Sequence, residues 1–531
     1  MTSPLPDVRR RTVPAVLGEA AAEHPDRPAL RDPGNSYTYS EAYQEACTIA
    51  GGWHRIGAGY QEPVLLMLDN HLDYVLTWLG LSFAGAVEVP VNTAYKGAIL
   101  TYIVNHSGAK LLVVEDRYCE RIAAVAGQLT ALETVVVRGG RGEALSGGRF
   151  RVVPFGQLRE SSPAPPARVA PWDLVAIMYT SGTTGPSKGV RVPHAHAYGY
   201  CTPAFWHAAS AEDVALVTLP LFHIGGQWAG VYNALIGGGS AVVLDGFHVK
   251  TFWDDVRRYG CTFTLMLGAV AGFLYREPPA GRDADNPMRR ALMVPVIPEV
   301  ADFSRRFGVT VGTAYGLTEG SSPIFTPFGE AEPKVCGRAR DDFDVQIVDG
   351  NDIDVPPGQV GELVLRPRDP WSVMDGYHGM PEETLTAWRN LRLHTGDAFC
   401  QDEKGRFCFV DRLKDAIRRR GENVSSFEVE SQINEHPAVL ESAVVGVASE
   451  HTEEEIKAVV ARKPDDSLTA EELIAFLADR LPYFMVPRYV EFVPELPKTP
   501  TQKIKKQQLR EAGITGGTWD REAAGITVKR T

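Results

Sequence analysis

The chain has 531 residues, 44% apolar and 23% charged, a balance that excludes a fibrous or largely disordered protein. It is too long for one ordinary core, and three or four folding units are expected. With 54 basic residues against 66 acidic ones the net charge is −12, so no general attraction to nucleic acid or an anionic membrane is expected.

Near the N-terminus Arg9, Arg10 and Arg11 are followed by Glu and Pro rather than by a signal-like apolar core. From Tyr37 to Asp116 a helical pattern ("SEAYQEACTIAGGWHRIG") alternates with short apolar runs ("PVLLMLDN", "AVEVPVN", "AKLLVVED"). Helices alternating with buried strands predict an α/β layer with parallel strands. "SSPAPPARVAP" (161–171) predicts a connector between subdomains, and "LVAIMYT" a strand leading into the segment "YTSGTTGPSKGV".

"AEDVALVTLPLFH", "GGSAVVLDG" and "CTFTLMLG" continue the alternation to about Gly316, giving a second α/β layer. From Val335 to Val410 short, turn-bounded strands predict a β-rich subdomain, and a small α+β domain is expected beyond. The predicted fold is α/β: an N-terminal domain of two α/β layered subdomains plus the β-rich one over 1–411, and a small C-terminal domain over 412–531. No apolar run reaches the length of a membrane span. Seven scattered cysteines without a CxxC pair predict reduced thiols and a cytoplasmic protein.

"YTSGTTGPSKGV" (179–190) concentrates hydroxyls, glycines and one cation. Thr180, Ser181, Thr183, Thr184 and Ser187 supply hydroxyl donors; Gly182, Gly185 and Gly189 let backbone N–H groups approach an anion; Lys188 adds charge. The Walker pattern GxxxxGK[ST] is not met, because Ser187 stands where the second glycine should be, which excludes a kinase or GTPase loop. Composition alone also fits a flexible linker.

In order along the chain follow "YGLTE", "HTGD", "DRLKDAIRRRGENVSSFEVE" and "PKTPTQKIKK". With these the sequence closely resembles the AMP-forming adenylate enzymes, which include acyl-CoA synthetases, peptide-synthetase adenylation domains and luciferases. The likeness covers nearly the whole chain, and "VEVPVNTAYKGAIL" and "TWDREAAGI" most resemble crotonobetaine/carnitine-CoA ligase-like members.

The resemblance implies that residues 179–190 grip the phosphates of ATP. It implies that Tyr315 stacks on adenine, Thr318 touches the α-phosphate and Glu319 holds Mg²⁺, which prefers hard oxygen ligands. Asp397 would accept both ribose hydroxyls, Arg412 would be a second ribose contact and Lys414 the pivot of a mobile C-terminal domain. Gly421 would line the thiol tunnel, and Lys503 would offset charge as the carboxylate attacks the α-phosphate. His223, in "PLFHIGG", aligns with a gate between acyl pocket and thiol tunnel. His194 and His196 lack a third ligand nearby in sequence, so no zinc site is expected.

Two departures stand out. A Gly-Ala-Pro-like turn is replaced by Met293, Val294 and Pro295, which predicts an altered pocket wall, and Thr501 and Gln502 precede Lys503 in place of Ser-Gly. A pocket lined by Tyr200, Phe205, Trp206, Trp228 and Tyr232 would favour an aromatic or short apolar acid, although aromatics also make plain core. The expected activity is an AMP-forming acyl-CoA ligase using ATP, Mg²⁺ and coenzyme A. The alternatives are activation of nitrite or another oxyanion for attack by an aryl amine, and a non-catalytic nucleotide-binding relative.

Overall fold

The computed structural model describes residues 5–180, 186–206, 209–412, 416–419, 422–449, 454–464, 466–497, 504 and 506–528. The chain divides into two compact units, one of 1–93, 104–179 and 189–411, the other of 94–103, 180–188 and 412–531.

Most of the first unit is built on two large sheets. In one, six parallel strands run in the order Leu174–Thr180, Val87–Pro90, Pro63–Met67, Leu111–Glu115, Thr134–Arg138 and Arg151–Pro154. Their near-continuous Val, Leu and Ile runs are those of strands covered on both faces. The helix Tyr39–Ile56 is delimited by local chemistry. At its start Thr38 and Glu41 form a capping box, and at its end Gly57 adopts a left-handed conformation. It packs against Leu72–Ala84, whose residues are nearly all buried.

The second sheet is mixed. Strands Pro28–Arg31, Ser240–Val243, Val214–Val217, Phe263–Leu267, Arg290–Val294 and Thr310–Leu317 are parallel neighbours. At Thr310–Leu317 the pattern switches, because that strand pairs antiparallel with Ser321–Thr326, which pairs antiparallel with Val335–Ala339. The strands Phe343–Val348, Gly361–Pro367, Leu393–Gln401 and Phe407–Arg412 complete the predicted β-rich region.

In the second unit Val439–Ala448, Glu454–Arg462, Tyr489–Val493 and Thr518–Asp520 form a four-stranded sheet. The cationic stretch after Asp411 contains a hairpin pairing Ala416–Arg419 with Glu422–Ser425. All seven cysteines are free thiols. Among the described residues no helix is long and apolar enough to cross a membrane.

Candidate active site

Several of the residues singled out by sequence lie at or just beyond the carboxyl ends of strands. Thr180 ends one strand, His223 follows Val214–Val217, Val294 ends another, and Tyr315, Thr318 and Glu319 lie at the end of Thr310–Leu317, where parallel pairing gives way to antiparallel. In open α/β sheets ligands bind beyond the carboxyl ends of the strands, above all where the strand order reverses, which here is at Val214–Val217, flanked by Ser240–Val243 and Phe263–Leu267.

The phosphate-loop candidates Ser181, Gly182, Thr183 and Thr184 lie outside the described residues, but their flanks are well defined. The return strand Lys188–Pro193 is clamped by Gly376–Tyr377, and the His378 N–H donates to the Gly189 carbonyl at 2.7 Å. A Cβ on Gly189 would sit 2.9 Å from Ile177 Cγ2, so this glycine permits the close approach of neighbouring chain. On the departing strand the Tyr179 hydroxyl and His106 Nδ1 are 2.7 Å apart, and the His378 ring stands edge-on to His106. Burial lowers the pKa of both histidines. Within the second unit Ser187 is buried and its Oγ donates to the Glu428 carboxylate, whose pKa burial raises. Sequence gave no sign of that partner, 241 residues away.

The "YGLTE" and "HTGD" segments meet directly. The Tyr315 hydroxyl donates to Asp397 Oδ2 at 2.6 Å, and the Tyr315 ring packs edge-on against Phe399. The turn before Asp397 is held by Glu362, which accepts the Gly396 N–H at 3.0 Å and pairs with His394 at 3.0 Å. Gly396 has φ of 72°, a conformation that favours glycine. Thr318 and Glu319 are half-buried in the following turn. Glu319 Oε1 accepts the Tyr377 hydroxyl at 3.1 Å, and the Glu319 carbonyl accepts the Met374 N–H at 2.9 Å. Burial, then the Glu319 charge, raises the pKa of Tyr377, which therefore stays a donor. The same Gly376–Tyr377 bridge thus serves both the loop's return strand and Glu319.

His223 sits in the turn after Pro220, its ring 4.7 Å from that of Phe222. Directly behind it the chain forms a π-helix over Gly225–Tyr232, a feature with no periodic signature and frequent at functional sites. Gly226 lets this helix close on the turn, since a Cβ there would meet the Pro220 carbonyl oxygen at 2.4 Å.

Several expectations change. Met293 is fully buried in the cluster of Leu216, Met266 and Phe303, so it does not form the pocket wall, whereas Val294 packs against the opposite cluster. Tyr200, Trp228 and Tyr232 are buried core, because their faces of the helices His194–Cys201 and Gly225–Tyr232 pack together, and they do not line an open pocket. Phe205 is half-buried with the Arg340 guanidinium 3.9 Å above its ring. His194 and His196 are likewise core residues; burial lowers their pKa to about 4 and about 3. Arg412 ends the strand Phe407–Arg412, and Lys188 begins its own. Lys414, Gly421 and Lys503, and the side chains of Trp206 and Arg412, lie outside what is described.

The Tyr315–Asp397 and Tyr377–Glu319 pairs bring two aromatic rings and two carboxylates to the end of Thr310–Leu317. The model of the AMP-binding enzyme family matches residues 17–378, and that of the AMP-binding enzyme C-terminal domain matches 428–503. The chain belongs to this family and is an AMP-forming acid–thiol ligase of the acyl-CoA synthetase type. It is 30% identical over 490 residues to the crotonobetaine/carnitine–CoA ligase of Salmonella enteritidis PT4, covering 89% of this chain and 93% of that one. Among solved structures it is similar to the amide bond synthetase McbA from Marinactinospora thermotolerans (25% identity, TM-score 0.81, 94% and 99% covered). It also shares the fold of the o-succinylbenzoate CoA synthetase MenE of Bacillus subtilis (21% identity, TM-score 0.81, 95% and 99% covered).

Proposed function

We propose that the chain joins a carboxylic acid to coenzyme A through an acyl-adenylate. A carboxylate oxygen attacks the α-phosphorus of ATP and pyrophosphate leaves. The coenzyme A sulfur then attacks the acyl carbon and AMP leaves. Splitting the reaction in two turns a poor leaving group into a good one. The observation that carries this reading is the junction of Tyr315, Asp397 and Glu319 at one strand end.

In this reading Asp397 accepts the ribose hydroxyls while Tyr315 fixes its carboxylate and faces adenine. Thr180, Ser181, Gly182, Thr183, Thr184 and Lys188 bind the phosphates, with Thr318 at the α-phosphate. Glu319, held in place by Tyr377, would be a hard oxygen ligand for Mg²⁺, which when bound would supply positive charge beside the phosphates. Lys503 offsets charge as the first bond forms, Arg412 supports the ribose, and Lys414 and Gly421 serve the thioester step, with His223 at the gate. The C-terminal domain, 412–531, acts as the lid.

Aromatic and short-chain acids and the relatives' crotonobetaine and carnitine belong in the same screen. A pyrophosphate-release assay over such acids, nitrite and aryl amines, with and without coenzyme A, tests the reading. Acid-dependent release with thioester formation is expected, and Lys503→Ala lowers the first step by about 10²–10³-fold. Release driven by nitrite, with an amine consumed and no thiol needed, would overturn it in favour of oxyanion activation; the likeness to an amide bond synthetase keeps amine acceptors in the screen.

A further inference from the structure

Glu88 is a carboxyl group with no solvent contact and, among the described residues, no cationic partner. It lies on Val87–Pro90 between Val64 and Ala176 of the adjoining strands, and its side chain reaches the helix Leu72–Ala84 and the π-helix. The Tyr74 hydroxyl donates to Oε1 at 3.0 Å, and the Gln227 carboxamide lies 2.6 Å from Oε2. Glu88, Tyr74 and Gln227 are all fully buried. Among the described residues no Lys, Arg or His pairs with Glu88, and Tyr74, itself pushed far up by burial, is the one titratable group against it.

An ionised carboxylate here would be a buried charge without compensation, which folded proteins avoid by keeping the group protonated. Burial raises this carboxyl to about 8, even though both hydrogen bonds favour the charged form. The 2.6 Å separation is typical of O–H···O and short for N–H···O. Which end of a carboxamide is oxygen is an assignment made from its partners. With the Gln227 amide turned over, a protonated Oε2 donates to Gln227 Oε1 while Tyr74 donates to Glu88 Oε1. The Gln227 N–H in turn donates to the His223 carbonyl at 3.1 Å, so the carboxyl is joined to the His223 turn through one residue.

We propose that Glu88 is a neutral carboxylic acid donating to Gln227, a positioning residue that holds the π-helix behind His223 in the register the acid-binding end of the site requires. The role rests on the acid-activating reading above. It would make Glu88 act through the pocket's frame, with no contact to substrate.

Difference infrared spectroscopy of the full chain against Glu88→Gln reads the protonation state without any turnover. A protonated-carboxyl C=O band is expected at pH 7, fading as the pH passes about 8. Its absence at pH 7 would overturn the proposal. Glu88→Leu and Gln227→Leu are expected to raise the KM for the acid about tenfold or more and leave the KM for ATP within about twofold, because a lost partner strands a buried polar group on the acid side alone. Glu88→Gln, which keeps one donor and one acceptor, restores the acid KM. Folded Glu88→Leu with an unchanged acid KM, or Glu88→Gln as impaired as Glu88→Leu, would overturn the positioning role. If no acid drives pyrophosphate release in the wild type, the functional reading fails and takes the positioning role with it, while the band still decides the protonation state.

Discussion

At Asp397 the chain fixes a carboxylate with partners close at hand: Tyr315 on its oxygen, Thr395 on its N–H, and Glu362 holding the turn in front of it. At Gln227, behind the His223 turn, an amide sits in a π-helix whose polar atoms are poorly served. Trp228 Nε1, Tyr232 Oη and one Gln227 amide atom have no partner among the described residues, nor do either of the nearby His196 nitrogens. Asp397 is thus held at both its oxygen and its N–H, whereas the π-helix behind His223 carries several buried polar atoms without partners among the described residues, a pattern found where function is bought with stability. Substitutions at the first should act on binding, and those at the second on stability and on the acid.

Of the substitutions that separate the two ends, Asp397→Ala should give the largest effect. Losing two charge-assisted hydrogen bonds to a ribose costs about 3 kcal/mol, roughly a hundredfold in kcat/KM for ATP, with the acid KM nearly unchanged. Tyr315→Phe removes one neutral donor and should cost about tenfold or less on the same axis. Steady-state pyrophosphate release with each substrate varied in turn checks both. Equal damage to the acid KM would erase the contrast between the two ends.

What sequence disclosed divides along the same line. The strand Leu174–Thr180 and the parallel layer were legible because buried strands write themselves as local apolar runs, as "LVAIMYT" does. Tyr315 and Asp397 were each legible as ligand candidates, but not their hydrogen bond, which spans 82 residues and depends on the mixed sheet's topology. The π-helix was not legible, since an i→i+5 bulge leaves no periodic trace. For Trp228 and Tyr232 sequence left pocket lining and plain core open, because aromatic composition does not say which face of a helix meets the core, and the structure places them in the core. Glu88 was passed over inside "VEVPVN", where one acid among valines resembles an exposed strand residue.

Glu88 separates the two ends by pH. Its folded value of about 8 lies above the ordinary 4.5, so the folded state holds a proton the unfolded chain gives up. The stability it contributes is complete below about pH 4.5 and is lost progressively as the pH rises to about 8. Glu88→Gln has no such slope. Thermal unfolding at pH 6 and pH 9 should show the variant gaining on the wild type, by roughly 2–4 kcal/mol at most. Asp397→Asn should show no comparable alkaline gain.

A smaller gain is expected at Gly226→Ala with the opposite sign. The new Cβ would meet the carbonyl oxygens of Pro220 and Leu219 at 2.4 and 2.5 Å, so the π-helix must move, at about 1–3 kcal/mol of stability. Its acid KM should rise with it. A loss of stability with no change in the acid KM would detach this helix from the site.

His196 tests whether the stored polar burial is real. Its ring is fully buried against Trp228, with neither nitrogen partnered, and burial lowers its pKa to about 3. Because the folded value is depressed from 6.5, the folded state refuses a proton that the unfolded chain accepts. Stability is thus present above pH 6.5 and lost as the pH falls toward 3. His196→Leu removes both the stranded nitrogens and this acid slope. It should be neutral or stabilising by about 1 kcal/mol at pH 7, and the gain should widen toward pH 5, as read by thermal unfolding. His194 keeps a slope of its own with a value of about 4, but its Nδ1 accepts the Val13 N–H at 3.3 Å, so His194→Leu should lose stability at pH 7 instead. If both substitutions behave alike, an unpartnered nitrogen and a partnered one cost the same, and the proposed contrast in polar satisfaction between the two ends does not govern the energetics.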